Sequence, residues 1–143
     1  MKAMLVKDGK LLFTDVEMPS VKDDEIRIKI KAIGINRADL LQKKGTYPSP
    51  KGWPEWPGLE VSGTVDAMGE VAKQKGRFKI GDSVCALLGG GGYAQYVCAP
   101  EGMVMPMPKN LSFEQAATLP EAYATSYLNL FWLHLLSLNG FIS

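Results

Sequence analysis

Glu25-Ile26-Arg27-Ile28-Lys29-Ile30-Lys31-Ala32 alternates apolar and polar residues without a break. A period of two with β-branched apolar positions describes a half-buried strand, one face on a core and the other in water. Ile26, Ile28 and Ile30 are then expected to face inward. Arg27, Lys29 and Lys31 are expected to form a solvated strand face rather than a nucleic-acid patch. Upstream, Met4 to Val6 and Leu11 to Val16 are short strand candidates separated by Asp8-Gly9-Lys10, a turn signal. Pro19 and the Lys22-Asp23-Asp24 cluster mark a loop.

Downstream, Asn36 precedes Arg37-Ala38-Asp39-Leu40-Leu41-Gln42-Lys43-Lys44-Gly45. An Asn N-cap, an acid in the first turn and two lysines in the last suit a short helix and its dipole. The stretch from Tyr47 to Gly58 holds prolines at 48, 50, 54 and 57, which forbid a helix or a central strand. It is a loop on a rigid scaffold, the kind of segment that often carries function. Strands are expected again at Leu59 to Val65, Ser83 to Leu88 and Tyr93 to Cys98. Several short strands punctuated by turns indicate a β-barrel or sandwich. Ser112-Phe113-Glu114-Gln115 is a capping box opening a helix through Ala117. Pro120 interrupts, and a second helix is expected from Glu121 to about Leu138, with Gly140 as its stop.

The bulk properties narrow the classes. The 143 residues carry 16 basic and 15 acidic side chains, a net charge of +1, which gives no electrostatic case for nucleic acid or an anionic membrane. The start has no long apolar h-region, so a secretory signal is not expected. The most apolar stretch, Leu128 to Leu138, is shorter than the roughly 20 residues a bilayer requires. Cys85 and Cys98 fall on neighbouring expected strands and have the option of pairing, but reduced thiols in a cytoplasmic protein are the expectation. The glycines at 89–92 resemble a phosphate cradle, yet they lead into a strand pattern rather than a helix, and read as a strand-to-strand turn. One His and two Cys are too few for an evident zinc site. His134 lies in an apolar helical stretch and has no G-x-S-x-G partner for hydrolase chemistry.

One ordered set of motifs stands out. Gly34-Ile35-Asn36-Arg37-Ala38-Asp39-Leu40, Gly45-Thr46-Tyr47-Pro48 and Pro57-Gly58-Leu59-Glu60-Val61-Ser62-Gly63-Thr64-Val65 are followed by Gly81-Asp82-Ser83-Val84, Gly91-Gly92-Tyr93-Ala94-Gln95-Tyr96 and Leu119-Pro120. In this order they resemble the medium-chain dehydrogenase/reductase superfamily over about residues 1–130. Zinc-dependent members carry Cys where Asn36 stands and His where Leu59 stands. The sequence is instead similar to the metal-independent quinone oxidoreductase branch, and within it to the tumour-suppressor-inducible subgroup.

The resemblance implies a mainly β chain with a few helices, a GroES-like partly open β-barrel, spanning residues 1–130. Residues 131–143 form a tail outside the family pattern. It also implies NADPH as cofactor, and hydride transfer to a quinone or related enone in a dry slot, where the cofactor carries the hard step and the protein supplies position. Residue by residue, it places Asn36 beside the nicotinamide as a catalytic and cofactor-binding amide, a role compatible with an N-cap. Tyr47 is implied as a pocket tyrosine donating to the quinone oxygen; its alternative is a loop aromatic packed on Trp53 or Trp56. Thr125 is implied near the nicotinamide, or else is a helix-surface threonine. Asp39 is expected to orient the Asn36 turn. No metal ligand is implied, a cytoplasmic protein is, and a homo-oligomer is possible by analogy. Family members continue into a Gly-rich Rossmann fingerprint, which these 143 residues lack. The isolated chain is therefore expected to be inactive. Its alternative reading is a truncated or splice-variant fragment acting, if at all, as an interaction module.

Overall fold

The computed structural model describes residues 1–133. Strands β1 (Lys2–Lys7) and β2 (Lys10–Asp15) form an antiparallel hairpin. Its loop is Asp8-Gly9, with φ of 51° and 69°. Two positive φ angles give the turn whose twist matches the strands it joins. The main sheet is built from β3 (Glu25–Ile33), β4 (Glu60–Met68), β5 (Ser83–Leu87), β6 (Tyr96–Pro100) and β7 (Val104–Pro106), ordered β6-β3-β4-β5-β7 and antiparallel throughout. Register shifts at Arg27/Ile28 and Ile30/Ala32 bend β3, and the sheet curls into a half-barrel. The hairpin docks on its rim, where the Gln95 N–H donates to Lys2 O at 3.0 Å and the Met4 N–H to Tyr93 O at 2.8 Å.

The curl closes over one core. Ile26 and Ile28 are buried from β3, Val61 and Val65 from β4, Val84 from β5 and Val97 from β6. Each such side chain contributes about 1.5–3 kcal/mol of burial. Ile30 is only half-buried and packs on the cluster from its margin. The outer face of β3 departs from the solvated reading at one position. Arg27 donates from Nε to Asp66 Oδ2 at 2.7 Å and from Nη1 to Pro19 O at 3.1 Å, while Lys29 and Lys31 are exposed as expected. Arg27 faces β4 and the strap at Pro19, so its guanidinium finds fixed acceptors there. β6 begins at Tyr96 rather than Tyr93, because residues 93–95 serve the junction with the hairpin.

The helices are short. α1 (Arg37–Lys43) follows the Asn36 cap, and α2 is Glu70–Gln74. α3 (Phe113–Ala116) opens on the Ser112/Gln115 capping box, with Gln115 N–H donating to Ser112 Oγ at 3.3 Å. The second C-terminal helix begins earlier than Glu121 and is not a regular α-helix. Leu119–Tyr123 is a wide turn in which the Tyr123 N–H reaches Thr118 O at 2.9 Å. Pro120 has no N–H to offer an α ladder, which favours the five-residue spacing. α4 (Ala124–Tyr127) and a second wide stretch, Leu128–Leu133, continue the path. The expected continuation to Leu138, the Gly140 stop and His134 lie outside the described residues. No helix among the described residues is long and apolar enough to cross a membrane.

Both cysteines are free, Cys85 buried and Cys98 half-buried. Burial first, and the Glu25 charge second, push the Cys98 thiol up to about 11. Burial also raises Cys85, followed by the charge of Glu60. At pH 8 so little Cys98 thiolate remains that alkylation of Cys98 by iodoacetamide is expected to run roughly 100-fold slower in the folded chain than in denaturant. Comparable rates in the two states would contradict this.

Candidate functional site

The site begins where β3 runs out. The Asn36 backbone N–H donates to Asp39 Oδ2 at 2.7 Å, so Asp39 orients the first turn of α1. The same oxygen accepts from Tyr93 Oη at 3.0 Å. Burial, then the Asp39 charge, pushes the Tyr93 phenol well above its ordinary range, which keeps it a donor. One turn on, Gln42 donates from Nε2 to Ser49 Oγ at 3.2 Å and ties α1 to the proline-rich loop. Trp56 pins the far end of that loop by donating from Nε1 to Gly91 O at 3.0 Å. The four glycines therefore form a bed for the loop: Trp53 lies against Gly89 and Pro54 against Gly91, where side chains would collide.

Facing Asn36 from β4 is Glu60, whose side chain is fully buried. Its Oε1 accepts from Asn36 Nδ2 at 3.0 Å, and its Oε2 accepts from the backbone N–H groups of Glu121 at 2.9 Å and Ala122 at 3.4 Å. A buried carboxylate needs such donors. Space for it is made by Gly34, where a Cβ would overlap the Glu60 side chain. Thr125 extends the chain of contacts, donating from Oγ1 to Glu121 Oε1 at 3.3 Å.

Beside this network lies a cavity of about 370 Å³ lined by Ala38, Tyr47, Trp53, Leu59, Leu87 and Glu121, among others. Its size suits a small ligand, and its walls are mostly apolar with few polar groups. Tyr47 is half-exposed on this wall, and its hydroxyl makes no hydrogen bond among the described residues. Trp53 lines the same cavity, so Tyr47 shares a wall with that loop aromatic. The structure thus links Asn36 to Thr125 through Glu60 and Glu121, and sets Tyr47 across a cavity that Glu121 also lines. Asn36 reaches this cavity through the network rather than by lining it. Thr125 is exposed on α4.

Sequence reasoning named neither Glu60, Glu121 nor Tyr93 as a site residue. Glu60 had a signal: an acid inside the apolar run Leu59-Glu60-Val61 on an interior strand is a buried charge that must find partners. The Tyr93–Asp39 bond joins residues 54 apart in sequence and leaves no local trace.

Comparisons with known proteins agree with this architecture. The chain is 38% identical over 123 residues to human synaptic vesicle membrane protein VAT-1 homolog-like, covering 86% of this chain and 29% of that protein. It is 38% identical over 120 residues to the quinone oxidoreductase of Sus scrofa, covering 83% of this chain and 36% of that one. It superposes with a TM-score of 0.73 and 34% identity on the quinone oxidoreductase of Thermus thermophilus, which was also solved in complex with NADPH, over 91% of this chain and 40% of that one. The chain therefore spans about a third of the length of the curated relatives it matches. Residues 22–109 match the alcohol dehydrogenase GroES-like domain, and the chain belongs to that family, within the medium-chain dehydrogenase/reductase superfamily.

Proposed function

We propose that residues 1–130 are the substrate-side domain of a zinc-independent, NADPH-dependent quinone oxidoreductase of the cytoplasm, with residues 131–143 continuing outside that domain. The carrying observation is the apolar cavity of Tyr47, Trp53, Leu59 and Leu87, set beside the Asn36–Glu60 pair. A flat, conjugated dicarbonyl such as a quinone or enone suits such a slot: its ring packs on the apolar walls and its oxygen takes a donor. The Tyr47 hydroxyl supplies that donor as negative charge grows on the oxygen during reduction. Asn36 and Leu59 support zinc independence, since neither an amide already bonded to a carboxylate nor an aliphatic side chain is a zinc ligand.

NADPH, when bound, supplies the hydride. The residues present fit only the nicotinamide end of that cofactor, through the Asn36 amide and the Thr125 hydroxyl. Among the described residues no strand–glycine-turn–helix cradle for its phosphates is present. The homo-oligomer expected by analogy remains part of this reading.

The test is a chimera in which residues 1–130 replace the matching segment of the Thermus thermophilus enzyme. NADPH-dependent quinone reduction is expected, with kcat/KM lowered at least about ten-fold by Tyr47→Phe. A folded chimera that reduces quinone equally well with Phe at 47 would remove Tyr47 from the mechanism, and a folded, inactive chimera would remove the reading. The 143-residue chain alone is expected to bind NADPH weakly or not at all; tight, stoichiometric binding by calorimetry would contradict that expectation.

A further inference from the structure

We infer that Glu60 is a positioning residue: it locks the Asn36 side-chain amide with Nδ2 toward β4, so that Asn36 keeps an N–H donor for a carbonyl-type acceptor oxygen. This rests on Asn36 being a site residue in the quinone reading.

A carboxylate only accepts, whereas an amide has one accepting and one donating end. Glu60 Oε2 is anchored by the backbone N–H groups of Glu121 and Ala122, at 2.9 Å and 3.4 Å, and backbone donors cannot turn away. That anchor fixes Oε1, which accepts from Asn36 Nδ2 at 3.0 Å. Reversing the Asn36 amide would set Oδ1 against Oε1, two acceptors face to face at a fully buried side chain. Glu60 has no slack with which to retreat, because the space that a Cβ on Gly34 would need is filled by its carboxylate.

The other end of the amide turns toward α1: Asn36 and Asp39 are placed as a capping box, and the Asp39 backbone N–H itself donates to Asn36 O at 3.1 Å. With Oδ1 facing the helix and one Nδ2 hydrogen given to Glu60, the second Nδ2 hydrogen remains. It complements the oxygen of a quinone, an enone or a carboxamide.

Asn36 is thus selected for the end of it that Glu60 leaves free. The same carboxylate bonds the 119–123 turn, so a purely structural role for Glu60 would be felt at Glu121 and Ala122 and not in the orientation of the Asn36 amide.

The test is NMR on the 15N-labelled 143-residue chain, and it needs neither nucleotide nor quinone, so it can fail or succeed independently of the proposed activity. In the parent, one Asn36 Nδ2 proton is expected to exchange with solvent at least ten-fold more slowly than those of exposed asparagine side chains, with no contact between the Nδ2 protons and the Asp39 amide proton. In Glu60→Gln, the new side chain keeps its oxygen on residues 121 and 122 and turns its NH2 toward Asn36. The Asn36 amide is then expected to flip: the slow exchange is lost, and a contact between its Nδ2 protons and the Asp39 amide proton appears. Glu60→Asp, which keeps the charge but loses reach, is expected to lose the slow exchange without the flip. The inference is overturned if the parent already shows the Nδ2–Asp39 contact, or if either folded variant leaves the Asn36 side-chain signals unchanged. Should both variants unfold, the parent's exchange rate and contact pattern decide it.

Discussion

A Gly58→Ala chain is expected to melt roughly 6–20 °C below the parent, a loss of about 2–5 kcal/mol. Gly58 has φ of +112°, and a Cβ there would lie 2.6 Å from both Gly92 Cα and Tyr93 N. The backbone conformation alone costs an alanine about 1–2 kcal/mol. The collision adds about 1–3 kcal/mol, because backbone atoms yield less readily than the end of a flexible side chain. They are also held in place: Gly92 N–H donates to Gly58 O at 3.1 Å and Tyr93 N–H to Pro57 O at 2.9 Å. Gly76→Ala is the control. Its φ is +67° with nothing within 4 Å of the added Cβ, so only the conformational cost of about 1 kcal/mol is expected. Equal losses for the two variants by thermal denaturation would show that the Gly58–Gly92 approach does not matter.

An Asn36→Asp chain is expected to be destabilised by about 3–4 kcal/mol at pH 7 and to recover most of that by about pH 4.5. The new carboxylate would stand where Nδ2 now lies 3.0 Å from Glu60 Oε1. Two negative charges at that separation repel by about 5 kcal/mol at an effective dielectric of about 20. The cost is capped by the alternative of protonating one of them, about 4 kcal/mol at pH 7 for an ordinary Asp. The protonated form restores a donor toward Glu60. The folded variant therefore shares a proton that the unfolded chain has released, so the native state binds more protons between the ordinary carboxyl range and the raised folded value. Stability then falls as pH rises through that window and returns as pH drops. Denaturant melts of parent and variant at the two pH values measure the difference; a pH-independent loss would mean that Glu60 does not face this position as a carboxylate.

Much of this fold was legible because the governing signals are local. The Glu25–Ala32 alternation, the Asp8-Gly9 turn, the Asn36 cap and the Ser112/Gln115 box each depend on neighbours a few residues away, and each stands where expected. The misplaced boundaries have tertiary causes. Tyr93 leaves the strand because its backbone serves the hairpin and its hydroxyl serves Asp39. Arg27 leaves the solvated face because Asp66, 39 residues on, lies across from it. The site divides in the same way. Asn36, Tyr47 and Thr125 were named through resemblance, but what connects them is Glu60 and the 119–123 turn, and that connection exists only once β4 has been brought under the wide turn. A wide turn at Pro120 was beyond periodicity, which distinguishes helix from strand but not one helical spacing from another.

In the proposed reading, a quinone enters the cavity lined by Tyr47, Leu59, Leu87 and Glu121. The direct measurement is a 1H–15N shift map of the 143-residue chain titrated with tetramethyl-1,4-benzoquinone, which has no free ring position for the two thiols to attack. Perturbations are expected to concentrate at Tyr47, Leu59, Leu87 and Glu121, and at Asn36 through Glu60. Perturbations centred instead on the separate 350 Å³ groove of Met18, Trp56 and Cys98, or spread over the surface without saturation, would contradict it.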